Sequence, residues 1–211
     1  METLLDLAGR DDNEANAAYV GLLRRFTITS TKSIEDEEEK GWIYRRLGMV
    51  GKPLLPAIKR FSLEHDSIAW PLRILEDVAN EDEEWLVLQA LLDTYPPSHD
   101  GHGTKKNQFL THIHEIDDDR VPTILANYLA DEDEDVRYQV VEALLDIGEK
   151  EKCLAPLCAQ LTKDGEDSVR LRTRILEGLA EHEWDLGALA PKLASRLGSE
   201  HKIEGNRIRR R

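Results

Sequence analysis

The feature that most constrains the fold of this chain is an internal repeat with a period of about 33 residues. It is marked by four prolines and three glutamates in a common phase: Pro56, Pro122, Pro156 and Pro191, and Glu76, Glu142 and Glu177. Successive prolines are 66, 34 and 35 residues apart, and successive glutamates are 66 and 35 apart, so each gap is one or two periods. Two independent sets of markers in one phase indicate structural repeats that bury their apolar surfaces against one another.

Each repeat is predicted to be a pair of helices, and residues 120–148 show the pattern most clearly. Apolar residues at helical spacing mark the two helices: Val121, Ile124, Leu125, Tyr128 and Leu129 in the first, and Val136, Val140, Leu144 and Ile147 in the second. Pro122 falls in the first turn, where its missing N–H costs little, and Gly148 follows as a helix-terminating glycine. The dipeptide Val136-Arg137 recurs 33 residues later as Val169-Arg170, which predicts that both begin the second helix of a repeat.

The same pattern predicts helices along most of the chain, in these pairs: 13–28 with 34–50, 53–64 with 68–80, 82–94 with 104–116, 120–130 with 135–147, 153–163 with 167–183, and a last helix at 186–197. An extra helical turn is predicted at 2–9 and a surface loop at 95–103. No segment shows the alternation of a strand, so the chain is predicted to be all-α. Residues 1–200 form the predicted helical domain, followed by a basic tail at 201–211.

The segment DEDVRYQVVEALLDIGEKEKCLAPLCAQLTKD, residues 133–164, resembles the short HEAT repeats of the phycobilisome-lyase type. The resemblance implies a right-handed α-solenoid of stacked antiparallel helix pairs, with about five to six repeats, the clearest over 51–198. Proteins of this kind are mostly interaction scaffolds and adaptors. Some are chromophore lyases or lyase subunits, and cousins include an iron hydroxylase and DNA glycosylases. The fold does not choose among these activities.

The acidic stretch at 131–142 has the ligand spacing of a helix–loop–helix calcium site, with carboxylates at Asp131, Asp133, Asp135 and Glu142. Such a loop needs glycine at its sixth position, where this chain has Val136, a predicted core residue. Carboxylates also stabilise helix starts, because they face unpaired N–H groups and the positive end of the helix dipole. The acids are therefore predicted to cap a helix, and Glu142 is predicted to lie on its face.

Other metal-binding or reactive groups give no catalytic prediction. His114-Glu115 and His182-Glu183 occupy like positions two repeats apart, too distant for one metal ion, and are predicted to be solvated helix ends. Cys153 and Cys158 are predicted core residues, because their spacing fits neither a zinc hook nor a disulfide on a helix. No catalytic residue, metal or cofactor is predicted.

The second helices of the pairs line the concave face of such solenoids, and they carry aromatic and basic residues favoured at binding hot spots. The candidate partner-binding residues are Trp42, Arg45, Arg46, Trp70, Arg73, Lys105, Lys106, Tyr138, Arg172 and Arg174. Arg137 and Arg170 are predicted instead to pair with acids of the turns between repeats. For Arg174 with Glu177, and for Arg73 with Glu76 or Asp77, ion pairs along one helix are an alternative.

Charge restricts the partners. The net charge is −14, and residues 202–211 carry five basic residues and one acid, so this tail contributes +4 and the rest −18. An acidic body repels nucleic acid and anionic membranes and steers a basic protein towards it. No signal peptide and no run of about 20 apolar residues is evident, which predicts a cytoplasmic protein without a membrane partner. The tail is predicted as a short helix that buries Ile203 and Ile208, as a disordered basic arm, or as a segment folded onto the acidic body.

The favoured function is a non-enzymatic scaffold or adaptor that binds another protein, with a basic partner favoured, through its concave face. The alternatives are a lyase-type enzyme or enzyme subunit, and a weak nucleic-acid binder that uses the basic tail. No small-molecule substrate is evident from the sequence.

Overall fold

The structure is a computed structural model that describes residues 12–28, 30–31, 33–98 and 101–211. These residues form eleven α-helices and one two-stranded antiparallel sheet. The helices are α1 (Asp12–Leu23), α2 (Ser33–Gly48), α3 (Leu55–Glu64), α4 (Ala69–Val78), α5 (Glu81–Thr94), α6 (Gly103–His114), α7 (Val121–Asn127), α8 (Glu134–Ile147), α9 (Lys150–Thr162), α10 (Val169–Glu181) and α11 (Ala190–Ala194). The strands are β1 (His201–Glu204) and β2 (Arg207–Arg210). Short 3-10 turns lie at Arg24–Thr27, Lys52–Leu54, Tyr128–Ala130 and Gly187–Leu189.

With the adjoining 3-10 turns counted, the predicted helices are confirmed within about three residues at their ends, and 95–98 and 101–102 are irregular as predicted. The extra turn predicted at 2–9 lies outside the described residues. None of the helices in the described ranges is long and apolar enough to cross a membrane.

The chain divides into two compact units, and the first contains residues 1–96 and 104–112. Within this unit α3 packs against α1, α4 and α5, while α2 packs against α4. Phe61 of α3 and Leu75 of α4 are fully buried in its core. Helices that alternate along the chain therefore contact each other, as expected for stacked helix pairs.

The second unit contains residues 97–103 and 113–211. Here α9 packs on both α7 and α8, α10 packs on α8, and α11 packs on α9. The sheet continues this arrangement, because β2 lies against α10 and β1 against α11. Alternate helices again contact each other, and the sheet packs on the last two helices.

The starts of α8 and α10 show the register of the repeat in this unit. The side chain of Asp133 accepts a hydrogen bond from the N–H of Asp135, and that of Ser168, 35 residues later, accepts one from Leu171. Val136 and Leu171 follow these caps by three residues and are both fully buried. Val169, in contrast, is 67% exposed. Both valines therefore lie in the first turn of their helices, as predicted, but Leu171 rather than Val169 occupies the buried position that corresponds to Val136.

The tail forms a β-hairpin, so the predictions of a helix and of a disordered arm are both wrong. Its two-residue turn has positive φ angles at Gly205 (55°) and Asn206 (64°), the combination that a type I′ turn requires. Ile203 pairs with Ile208, whose side chain is fully buried. The third alternative is confirmed, because the arginines of β2 pair with acids that precede them in the chain.

Candidate functional site

The predicted partner-binding residues fall into both units. Trp42, Arg45 and Arg46 lie on α2, and Trp70 and Arg73 on α4, two helices that pack together in the first unit. Lys105 and Lys106 lie on α6, Tyr138 on α8, and Arg172 and Arg174 on α10. The geometry separates these residues into an exposed group, a buried group and a group held by contacts between helices.

Trp70 is the centre of an aromatic cluster in the first unit. Its ring stacks on Phe26 with centroids 5.2 Å apart and planes 17° apart, and the edge of Tyr44 approaches it at 5.8 Å. The guanidinium carbon of Arg73 lies 5.4 Å from the centroid of the Trp70 ring, within the range of a cation–π interaction. Trp70 is therefore held by contacts on several sides while its side chain stays partly exposed.

A second tryptophan–arginine pair lies on α2, where the guanidinium carbon of Arg46 is 5.4 Å from the ring centroid of Trp42. Residues four apart on a helix face the same side, so this pair forms within one element. A shallow cleft of about 530 Å³ lies between α2 and α4, lined by Tyr44, Arg45, Gly48, Met49 and Asp77. Met49 is 80% exposed at this cleft. We use the name Trp–Arg face for the surface residues of α2 and α4 with the adjoining Met49, which are Trp42, Tyr44, Arg45, Arg46, Met49, Trp70 and Arg73. Trp42 and Tyr44 are about 200° apart around α2, so the Trp42–Arg46 pair and the Trp70 cluster lie at opposite edges of this surface.

The arginines of this face have no acidic partner. Arg45, Arg46 and Arg73 are exposed, and no carboxylate in the described ranges lies within 4.0 Å of their guanidinium nitrogens. The alternative pairing of Arg73 with Glu76 or Asp77 is not formed. The hydroxyl of Tyr44 donates a hydrogen bond to Asp77 instead, and this bond raises the pKa of Tyr44.

Lys105 and Lys106 are not at the surface, and their prediction as partner-binding residues is wrong. Their relative exposures are 1% and 0%. The Lys105 ammonium donates to the backbone carbonyl of Leu63 at 3.2 Å and to the hydroxyl of Tyr95 at 2.8 Å, and lies 4.2 Å from the centroid of the Tyr95 ring. These contacts compensate the desolvation of the charge.

In the second unit, polar contacts between α8 and α10 hold the predicted residues. Tyr138 lies under Arg170, with 3.8 Å from the guanidinium carbon to the ring centroid, and Arg174 pairs with Glu142 at 2.7 Å. Arg172 donates to the backbone carbonyl of Glu166. Burial raises the pKa of Glu142, but hydrogen bonds from Arg174 and Tyr138 outweigh this effect, so the pKa is lower than that of an ordinary glutamate.

The predicted pairing of Arg137 and Arg170 with acids of the turns is confirmed. Arg137 forms an ion pair with Glu166 at 3.0 Å, and Arg170 pairs with Asp135 at 3.2 Å. Arg174 contacts Glu142 of α8 and Glu181 of α10. Glu177, the alternative partner predicted for Arg174, pairs with Arg210 instead. These contacts link consecutive helix pairs.

The prediction that the acids at 131–142 cap a helix is also confirmed. A carboxylate oxygen of Asp131 accepts from the N–H of Asp133 at 2.9 Å, and the other accepts from that of Ser98 at 3.2 Å. Asp133 caps α8, and Val136 is buried where a calcium loop would turn at glycine. Asp131 and Asp133 are therefore both engaged by backbone N–H groups.

Three of the four residues in the two histidine–glutamate pairs have partners within the second unit. His114 Nε2 lies 3.2 Å from a carboxylate oxygen of Asp146. His182 Nε2 lies 2.9 Å from the carbonyl oxygen of Leu145, and its ring stacks on Trp184. Glu183 forms ion pairs with arginines of β2.

Cys153 and Cys158 are buried in α9, as predicted. Burial raises the pKa of each thiol to about 11. Because the thiolate is the nucleophile and metal ligand, these residues are poorly suited to covalent or metal chemistry.

Comparisons of the chain with models of protein families, with curated proteins and with solved structures found no match. The site is therefore interpreted from its own geometry. The Trp–Arg face combines partly exposed aromatic rings, three arginines without acidic partners in the described ranges and a shallow cleft.

Proposed function

We propose that this chain is a non-enzymatic scaffold or adaptor of the HEAT-like type, which binds another protein through the Trp–Arg face. The observation that carries the proposal is the arrangement of Trp42, Trp70 and their stacked arginines. Tryptophan, tyrosine and arginine are the residues most enriched at interface hot spots. Ring contacts already restrict the side chains, which lowers the entropy lost when a partner orders them.

The packing of alternate helices within each unit supports the predicted right-handed α-solenoid of about five to six repeats. In that arrangement α2 and α4 are the second helices of consecutive pairs, so the Trp–Arg face would lie on the concave surface. Repeat proteins commonly use this surface to bind extended partners. We also propose that the protein is cytoplasmic.

The alternative functions have less support. A lyase-type reaction through cysteine would require accessible thiolates, whereas both thiols are buried with a raised pKa. A nucleic-acid-binding tail would require free arginines, whereas Arg209 pairs with Glu183 and Arg210 with Glu177. Neither alternative gains an observation of its own.

Photo-crosslinking tests the proposal. A photoreactive phenylalanine analogue replaces Met49 on the Trp–Arg face or, as a control, Leu86, which is 66% exposed on α5. We expect a protein adduct in cells of the native source from position 49 but not from position 86. Trp42→Ala should abolish that adduct without changing the melting temperature appreciably. Equal adducts at both positions, or an adduct insensitive to Trp42→Ala, would refute the proposed binding face.

A further inference from the structure

We infer that the partner presents an acidic segment, with at least one aromatic or apolar side chain, to the Trp–Arg face. The inference rests on the proposed function and specifies its partner. It reverses the expectation from net charge, by which an acidic chain attracts a basic protein. The partner is chosen instead by the arginines of the face that have no acidic partner in the described part of the chain.

Arginines elsewhere in the described ranges are mostly engaged by acids. In the first unit Arg25 contacts Asp36 at 2.5 Å and Glu39 at 2.6 Å, and Arg60 pairs with Glu64. In the second unit ion pairs engage Arg120, Arg137, Arg170, Arg174, Arg196, Arg207, Arg209 and Arg210. Arg24, Arg45, Arg46, Arg73, Arg172 and Arg211 form no ion pair with an acid in the described ranges, and of these Arg46 and Arg73 lie over tryptophan rings.

Many acids of the chain are committed to internal contacts, although Glu37, Glu38 and Glu76 are exposed on α2 and α4 without an ion pair in the described ranges. Asp131 and Asp133 accept backbone N–H groups, Glu166 pairs with Arg137, and Glu83 completes the capping of α5. Asp77 is the acid that lines the cleft, and it accepts the hydrogen bond of Tyr44. Glu76 is exposed beside it, but neither acid pairs with an arginine of the face, so the guanidinium donors stay available to a ligand.

The geometry of these arginines suits carboxylates next to an apolar side chain. Arg46 and Arg73 lie over tryptophan rings, which orient the guanidinium planes and shield one side from water. A guanidinium binds a carboxylate through two parallel hydrogen bonds, and its weak hydration makes it suitable for interfaces. The cleft beside Met49 has room for an apolar side chain of the same segment.

A protein segment fits the charge of the whole chain better than a nucleic acid does. Each nucleotide brings another phosphate, and a chain of net charge −14 repels a long polyanion beyond the few phosphates that three arginines neutralise. A short segment with a few carboxylates can satisfy the same arginines at a smaller long-range cost.

Selection from displayed random short peptides tests the inference with the intact chain. Peptides enriched by the wild type are expected to contain clustered Asp or Glu beside an aromatic or aliphatic residue.

In fluorescence anisotropy, Arg45→Glu/Arg46→Glu/Arg73→Glu should weaken their binding by about tenfold or more, because attraction becomes repulsion. Lys59→Glu/Lys163→Glu/Lys192→Glu is the matched control, since it makes the same change in net charge at three exposed lysines without acidic partners in the described ranges. Circular dichroism of both variants verifies the fold.

The outcomes separate the inference from the function on which it rests. Enriched peptides that are basic or uncharged, but lose binding in Trp42→Ala, would refute the acidic segment and retain the binding face. Equal weakening by the two triple variants would assign the effect to net charge and refute the inference. Binding of an oligouridylate as tight as that of the selected peptide would also refute it, in favour of nucleic acid. Failure to enrich any peptide dependent on Trp42 would refute both proposals.

Discussion

Replacement of Glu166 by alanine should be the most destabilising single loss among the polar contacts that join α8 and α10. Its carboxylate accepts hydrogen bonds from Arg137 at 3.0 and 3.2 Å, from Gln160 at 2.5 Å and from the N–H of Ser168 at 3.0 Å. The side chains of Glu166 and Arg137 are 2% and 11% exposed. The substitution therefore leaves a cation, an amide and a backbone N–H with unmet hydrogen-bonding capacity in a poorly hydrated region.

The expected loss follows from this burial. Breaking a buried ion pair by removing one partner costs about 3–5 kcal/mol, because the remaining charge is uncompensated. Arg137 keeps its hydrogen bonds to the carbonyls of Asp131 and Glu132, which places the loss near the lower end, about 3 kcal/mol. For a chain of this length, about 2–4 °C accompanies each kcal/mol, so the melting temperature should fall by roughly 6–12 °C.

Asp135→Ala is the matched control, because it removes an acid from an exposed ion pair. The side chains of Asp135 and Arg170 are 74% and 57% exposed. Such pairs contribute about 0–1 kcal/mol. Scanning calorimetry gives the melting temperatures, and hydrogen exchange read by mass spectrometry should show faster exchange in α8 and α10 for Glu166→Ala alone. Similar shifts for both variants would refute the reasoning from burial. The double variant Arg137→Met/Glu166→Met should recover much of the loss, since it removes both charges.

Three further predictions concern the second unit. Because the pKa of Glu142 is below its ordinary value of 4.5, the folded state binds fewer protons in acid, and stability should fall as the pH drops below about 4.5. Glu142→Gln should flatten this dependence in urea titrations at several pH values, and an unchanged slope would contradict it. Cys153 and Cys158 should react with a chromogenic thiol reagent only after denaturation, and rapid reaction of the native chain would contradict their burial. Ile208→Ala should cost about 2–5 kcal/mol and speed hydrogen exchange in the hairpin, and unchanged exchange there would show that the hairpin does not depend on this contact.

The helices were predictable from sequence because their apolar residues recur at helical spacing between recognisable starts and stops. Gly148, for example, ends α8 with a φ of 68°, the left-handed conformation that glycine adopts without strain. The register of the repeat was less predictable. Val169-Arg170 copies Val136-Arg137 in sequence, but the cap at Ser168 and the buried Leu171 place the true equivalence two residues further on. Caps and burial, rather than dipeptide identity, determine the alignment.

The buried lysines show a limit of residue-type reasoning. Lys105 and Lys106 precede Phe109, Leu110 and Ile113 by three to eight positions, and all five lie on the buried stripe of α6. Their helical phase was visible in the sequence, but lysine is so rarely fully buried that charge alone placed them outside. The charge of Lys105 is compensated by the carbonyl of Leu63, which is distant in sequence, and by Tyr95, which lies before α6. No local sequence pattern indicates either contact.

The sequence of the tail contains a hairpin signal, which the prediction of a helix there overlooked. Gly205-Asn206 lies between two short stretches that each contain one isoleucine, and a two-residue Gly-Asn loop is a recognised hairpin signal. The basic character of the tail drew attention to possible anionic ligands instead. In the folded chain those charges have internal partners, and the buried Ile208 anchors the strand on α10.

The same distinction between total and available charge governs the candidate site. Arg209 and Arg210 lie in the most basic segment of the sequence, yet both are paired with acids. Arg45 and Arg46 follow one of the most acidic stretches, residues 35–39, yet neither forms an ion pair with an acid in the part of the chain that the structure describes. A ligand at close range pairs more readily with charged groups that have no partner, because a paired charge already has its water replaced by a protein group. The charge of a binding face therefore follows from which ion pairs the fold completes, and on the Trp–Arg face Arg45, Arg46 and Arg73 have no acidic partner among the described residues.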